Sequence, residues 1–192
     1  MNWYEKLNQY FPIEEMKSKK HMETLLQERK DIYHKDEGKN HVLMYAELPD
    51  FLFIDYLFVS KDARGEGLGS KLINKLKDKK KPIILEVEPI NYEDSDSEKR
   101  LKFYQKQGFK HAESIGYERR SLATNEINKL EILYWTPNDE SEEKIFEAMQ
   151  QTYTLIHTFK DKELYGESYQ PVHEVLSMND KKNNQNIFDE LT

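Results

Sequence analysis

The residues best placed to do chemistry lie between positions 53 and 76, where the chain reads FIDYLFVSKDARGEGLGSKLINKL. Gly65, Gly67 and Gly69, three of the chain's seven glycines, alternate within Arg64-Gly65-Glu66-Gly67-Leu68-Gly69. Glycine reaches backbone conformations closed to other residues and leaves no side chain between its amide and a ligand. With a helix starting there, free N–H groups and the positive dipole end suit a phosphate or pyrophosphate. A nucleotide phosphate loop ending in Gly-Lys-Ser/Thr is absent, and the G-x-G-x-G spacing departs from the G-x-G-x-x-G of dinucleotide sites. Asp55 is a second candidate, because a carboxylate inside an apolar run needs a partner or a raised pKa. Other chemistries fall away. Without cysteine there is no disulfide and no cysteine acyl-enzyme. The six histidines are scattered without metal-ligand spacing, and no serine sits in a G-x-S-x-G elbow.

The elements that must carry these residues follow from periodicity. Phe53, Ile54, Tyr56, Leu57, Phe58 and Val59 predict a buried strand. Leu68, Leu72, Ile73 and Leu76 share one side of the following helix, with Ser70, Lys71, Lys75 and Lys77 opposite. Upstream, Trp3, Tyr4, Leu7 and Phe11 fit a short helix that Pro12 ends, and residues 13–30 read as a second helix. Residues 31–34 and 41–48 read as strands joined by the polar turn 35–40. After Pro82, residues 83–88 form another strand, parallel to the central one because a helix connects them. An acidic loop at 92–97 precedes a helix over 98–107, capped by Gly108. Residues 111–121 and 129–135 read as the last strands, and the acidic run 138–143 starts a helix with Ile145, Met149, Tyr153 and Ile156 on one face.

Arg64-x-x-Gly67-x-Gly69 resembles the R/Q-x-x-G-x-G/A pyrophosphate loop of the GNAT N-acetyltransferase superfamily. Two further matches follow in that family's order: Leu85-Glu86-Val87 with Asn91 beyond it, and Phe103-Tyr104-x-x-x-Gly108-Phe109. The resemblance is close over residues 53–109 and looser over 31–135, leaving the final third outside. It implies a mixed α/β (α+β) GNAT fold, a mostly antiparallel central sheet with a splayed parallel pair, flanked by helices. It also implies acetyl-CoA as co-substrate, with no metal. The main chain of Leu57, Phe58 and Val59 would pair with the pantetheine arm. Arg64, Gly65, Glu66, Gly67, Leu68, Gly69 and Ser70 would surround the pyrophosphate, and Asn91 would contact the pantetheine. Tyr104 would lie beside the coenzyme and protonate its leaving thiolate. Glu86 is the first candidate for the base that deprotonates the acceptor, Asp55 is its rival, and a water relay is the third route.

The activity so implied is direct acetyl transfer to a primary amine in a ternary complex, the acceptor being a protein N-terminus, a lysine or a small amine. The alternative is a catalytically weak GNAT-fold module that binds acyl-CoA and regulates a protein partner. The resemblance divides the chain into an acetyltransferase domain at 1–137, a helical extension at 138–176 packed on the core or on a partner or second subunit, and a mobile tail at 177–192. A formal charge of −7 disfavours a nucleic-acid partner. No apolar run is long enough to span a bilayer and no signal pattern opens the sequence, so the expected setting is the cytoplasm, away from membranes.

Overall fold

The central strand decides the architecture, and the computed structural model, which describes residues 1–179 and 185–192, places it at Leu52–Val59 (β3). It is flanked by β2 (His41–Glu47) and β4 (Ile83–Val87) in the sheet order β1-β2-β3-β4-β8-β5. Here β1 is Tyr33–Gly38, β5 Lys110–His111 and β8 Glu131–Trp135. Every neighbouring pair is antiparallel except β3 and β4. That parallel pair is joined by α3 (Leu68–Lys77), whose apolar side covers one face of the sheet.

The parallel pairing is short. Leu52, Phe53 and Ile54 face Ile83, Ile84 and Leu85, and beyond them the two strands part. At that point β3 holds one extra residue: Met44 opposes Tyr56 and Tyr45 opposes Ile54, so Asp55 bulges out of the ladder. A bulge bends its strand and re-aims its side chains. Phe53 and Tyr56 consequently belong to the same core although three positions apart, and Asp55 turns to that same side to meet Lys17 and Tyr33.

Two cores lie on opposite faces of the sheet. One joins α1 (Trp3–Tyr10) and α2 (Lys19–Glu28) to α5 (Glu142–Thr152) through Leu7, Met22, Leu25, Phe53, Met149 and Ile156. The other joins α3 and α4 (Ser95–Lys106) through Ile54, Leu72, Ile73, Leu85 and Leu101. A second sheet pairs β6 (Ile115–Arg120) with β7 (Ile127–Lys129) and β9 (Leu176–Met178). None of the described helices is long and apolar enough to cross a membrane.

Several boundaries differ from the sequence expectation, each for a local reason. The helix expected over 13–30 is broken: Ile13–Glu15 is a 3₁₀ turn, and α2 begins only after Ser18, whose hydroxyl accepts the His21 N–H. The Lys17 N–H instead donates to the Tyr56 hydroxyl at 2.8 Å, drawing this linker into the core. The turn at 35–40 shrinks to Lys39-Asn40, because Gly38 already pairs with His41. Asp94 caps α4 by accepting the Asp96 N–H, so half of the acidic loop is the first helical turn. The strand expected at 111–121 splits between the two sheets.

The extension beyond Pro137 shares the first core. Ile145, Met149, Tyr153 and Ile156 all enter it. After α5 the chain widens into a π-helical turn at Tyr153–His157, then forms α6 (Asp161–Tyr165) and α7 (Val172–Val175) before β9. Of the tail expected to be mobile, residues 180–184 lie outside the described residues. Its flanks are docked: Ser177 and Met178 belong to β9, Ile187 is buried against the α3/α4 core, and Thr192 donates to Glu98.

Candidate active site

The glycine loop is shaped by two left-handed residues. Gly65 has φ 86° and Gly67 has φ 80°, and a Cβ at either would meet nothing within 4 Å. Steric access is therefore open, and the requirement for glycine is conformational. Gly67 is the N-cap of α3 and supplies no side-chain cap, so the first amides of that helix have no side-chain partner. Gly69 serves packing instead, since a Cβ there would sit 3.1 Å from the Phe103 ring of α4. Arg64 donates to the Val59 carbonyl at 3.3 Å, lies over the Tyr10 ring and faces the Asp96 carboxylate at 3.4 Å. A cleft of about 370 Å³ runs past this loop between β3 and α4.

The cleft ends at the fork of β3 and β4, where a cavity of about 50 Å³ adjoins it. Leu57, Arg100 and Tyr104 line both spaces and mark their junction. The Tyr104 ring is buried, and that burial pushes its hydroxyl above the ordinary phenol value although the nearby Arg100 charge opposes the shift. It is protonated at neutral pH. The small cavity carries four carboxyl groups, Glu15, Asp55, Glu86 and Glu88, together with Arg100 and Arg119.

Two of those carboxylates are already engaged. Asp55 accepts from Lys17 Nζ and from Tyr33 Oη, each at 2.6 Å. Glu86 accepts from the Tyr117 hydroxyl at 2.5 Å and from His157 Nε2 at 2.7 Å, with Arg119 at 3.4 Å from its other oxygen. Burial alone would raise the Glu86 carboxyl, but His157 and Arg119 overcome it and hold it well below the usual carboxylate range. His157 is itself pushed down by burial, against the pull of Glu86. The 2.7 Å contact ties the two groups together, and Arg119 and Lys17 add positive charge that favours the ionised Glu86.

Residues 27–111 match the family model described as "Acetyltransferase (GNAT) domain". The whole chain is 68% identical over 192 residues to the protein called "Putative acetyltransferase YjbC" in Bacillus subtilis strain 168, covering all of both chains. The chain belongs to the GNAT acetyltransferase family. A solved structure described as a "Putative acetyltransferase from GNAT family" from Bacteroides thetaiotaomicron shares the fold, with a TM-score of 0.62 at 19% identity over 80% of this chain and 89% of that one. The ribosomal-protein-S18-alanine N-acetyltransferase of Escherichia coli aligns at a TM-score of 0.46, with 22% identity over 69% of this chain and 83% of that one.

Against the GNAT pattern, the expected coenzyme residues divide into two groups. Leu57, Val59, Arg64, Gly65, Gly67, Leu68, Gly69, Ser70 and Tyr104 line the cleft. Phe58, Glu66 and Asn91 do not. Phe58 packs toward Tyr10 and the first core, and Asn91 closes a turn by accepting the Glu93 N–H while its own N–H and carbonyl bond Ser97. Sequence reasoning missed Tyr10, Arg100, Glu15 and Arg119. Arg100 was open to detection, since it stands one helical turn before Tyr104 and so shares its face. Glu15 and Arg119 gave no local signal, because only the tertiary fold brings the 3₁₀ turn and β6 to the fork.

Proposed function

We propose that this GNAT acetyltransferase moves the acetyl group of acetyl-CoA directly to a primary amine. One observation carries the proposal: an open glycine loop at a helix N-terminus and a carboxyl-rich cavity border adjoining spaces that share Leu57, Arg100 and Tyr104 in their walls. The open Gly65 and Gly67 positions and the side-chain-free N-terminus of α3 suit the coenzyme's pyrophosphate. Arg64 adds a charge-assisted donor. The parting of β3 and β4 after Ile54 leaves main-chain groups free on the gap side for the amide-bearing pantetheine arm.

At the other end a cationic amine meets an acidic cavity. The amine attacks the thioester carbonyl carbon once it has lost a proton, the bond to sulfur breaks, and the Tyr104 hydroxyl protonates the leaving thiolate. Glu86 and Asp55 each have their oxygens occupied, so they shape the cavity's field and hold the fork in place. Either could take a proton only by giving up a buried partner. Cavity size favours an unbranched amine end, such as a lysine side chain or a small alkylamine.

The first test is isothermal titration of acetyl-CoA into the pure protein and into Gly67→Glu. The expected result is micromolar binding that the variant loses, because glutamate at a left-handed position places strain and negative charge against the pyrophosphate. A thiol-release screen of amines and peptides then identifies the acceptor. Binding without turnover on any amine would return the chain to the reading of a coenzyme-binding regulatory module.

A further inference from the structure

We propose that Glu15, with Glu88 beside it, is the group that takes the proton from the attacking amine. The inference rests on the acetyl-transfer reading and assigns its base. Glu15 ends the 3₁₀ turn Ile13–Glu15, and that turn is pinned from two sides: Tyr56 Oη donates to the Glu15 carbonyl at 2.7 Å, and Asn128 Nδ2 donates to the Glu14 carbonyl at 3.3 Å. Glu15 lines the same cavity as Tyr104. Its Oε1 atom is buried and has no hydrogen-bond partner. A buried carboxylate oxygen without a donor is costly, and it persists where the group carries a proton or where a ligand brings the missing donor. An amine nitrogen in the cavity is such a donor.

The groups facing Glu15 come from four elements. Glu88 follows β4, Arg100 is on α4, Arg119 on β6, and Asp55 and Tyr56 are on β3, with Glu86 on β4. Lys17 compensates Asp55 and Arg119 compensates Glu86, so the charged neighbours of Glu15 outside those pairs are the Glu88 carboxyl and the Arg100 guanidinium. Burial, followed by the Glu88 charge, pushes the Glu15 carboxyl up to about 8, while Arg100 and Arg119 oppose the shift. Two close carboxyl groups cannot both ionise freely and hold one proton between them. A carboxylate so tuned is a far stronger base than Glu86, whose pKa is driven the other way.

The proton balance closes within the cleft. Glu15 carboxylate accepts one proton from the amine nitrogen as the N–C bond forms and the C–S bond breaks, and Tyr104 delivers one proton to the coenzyme sulfur. Glu15 then returns its proton to solvent, and Tyr104 is reprotonated from it. The products are an acetamide and free coenzyme thiol.

The test combines a titration with kinetics. Carbon-13 NMR of protein labelled at the glutamate carboxyl carbons should show one resonance titrating near pH 8 that is missing from Glu15→Gln. With one fixed amine acceptor, Glu15→Gln should lower kcat by about 100-fold or more, with acetyl-CoA affinity preserved as a check on folding. Glu88→Gln should move the rising limb of the kcat–pH profile to lower pH; the acceptor's own pKa is common to both proteins, so the displacement belongs to Glu15. Turnover within threefold of wild type in Glu15→Gln, or an unmoved limb in Glu88→Gln, would overturn the assignment and leave acetyl transfer standing. A wild-type protein that acetylates no amine would sink both.

Discussion

At its loop end the cleft is lined by the glycine positions, the first turn of α3 and the outer part of β3. At the fork end it is lined by side chains brought from positions as distant as Glu15, Glu86 and Arg119, with His157 buried behind Glu86. A backbone site is cheap to fold, because its polar groups remain open to water until the ligand arrives. A buried side-chain site must satisfy its charges in advance, which is why Lys17 is 2% exposed against Asp55 at 3%, and His157 is buried against Glu86. The difference teaches where each end is vulnerable: the first to shape and the second to any unpaired charge.

The largest expected effect tests that contrast directly. Lys17→Met leaves the Asp55 carboxylate buried with only Tyr33, and removing one partner of a buried pair costs about 3–5 kcal/mol. Gly65→Ala, at φ 86° with open space around it, costs only the strain of a left-handed alanine, about 1–2 kcal/mol. Urea denaturation of both variants measures the two figures. Equal losses would erase the distinction between the two ends.

Tyr104→Phe comes next and separates chemistry from binding at the junction. Loss of the buried hydroxyl should lower turnover by about 10- to 100-fold, while acetyl-CoA affinity, measured by titration, stays within about twofold because the coenzyme site is built mainly from the loop. A parallel fall in affinity would move Tyr104 out of proton transfer and into coenzyme binding.

How much of each end was legible follows from the same contrast. The loop, its strand and its helix are contiguous, so the spacing of Arg64, Gly67 and Gly69 was visible in the sequence, whereas Tyr104, on another helix, was singled out by the family resemblance alone. The parallel pair followed from the helix that connects its strands, and the helices flanking the sheet from the family resemblance. The bulge at Asp55 could not be read, since a period-two pattern hides an extra residue until the partner strand is placed. Glu86 was visible but its state was not, because His157 reaches it from 71 residues away. Glu15 was absorbed into a supposed helix whose breaking depends on the Tyr56 hydroxyl across the core.

A pH experiment sharpens the acceptor side. Glu15 has a folded-state pKa of about 8 against 4.5 when unfolded, so the folded chain holds its proton more tightly across that window. The sign is therefore a stabilisation complete below pH 4.5 and lost as pH rises toward 8. His21 and His157, pushed down by burial, act in the opposite sense, adding stability as pH rises through their unfolded value. The Glu15 part is read as a difference. Between pH 5 and pH 8, wild type should lose about 1–3 kcal/mol relative to Glu15→Gln, measured by urea denaturation. Parallel curves would remove the raised carboxyl and with it the strongest contrast to Glu86.

The smallest effect probes an acidic side chain that intrudes on the loop end of the cleft. Asp96, in the first turn of α4, lines the cleft beside the glycine loop and faces Arg64 at 3.4 Å, with the two side chains about one-third exposed. Burial tends to raise the Asp96 carboxyl, but the hydrogen bond and charge of Arg64 outweigh it and hold it low, so it is ionised at neutral pH. An incoming pyrophosphate must compete with that carboxylate for the guanidinium and tolerate its charge. Exposed pairs of this kind are worth about 0.2–1 kcal/mol, so Asp96→Asn should tighten acetyl-CoA binding by about two- to fivefold. The gain should shrink at high salt, since screening weakens exposed charges first. Titration at low and high ionic strength measures both. Weaker binding in the variant would mean that Asp96 orients Arg64 for the coenzyme, and the loop would then depend on a preassembled side-chain pair in the same way as the acceptor end.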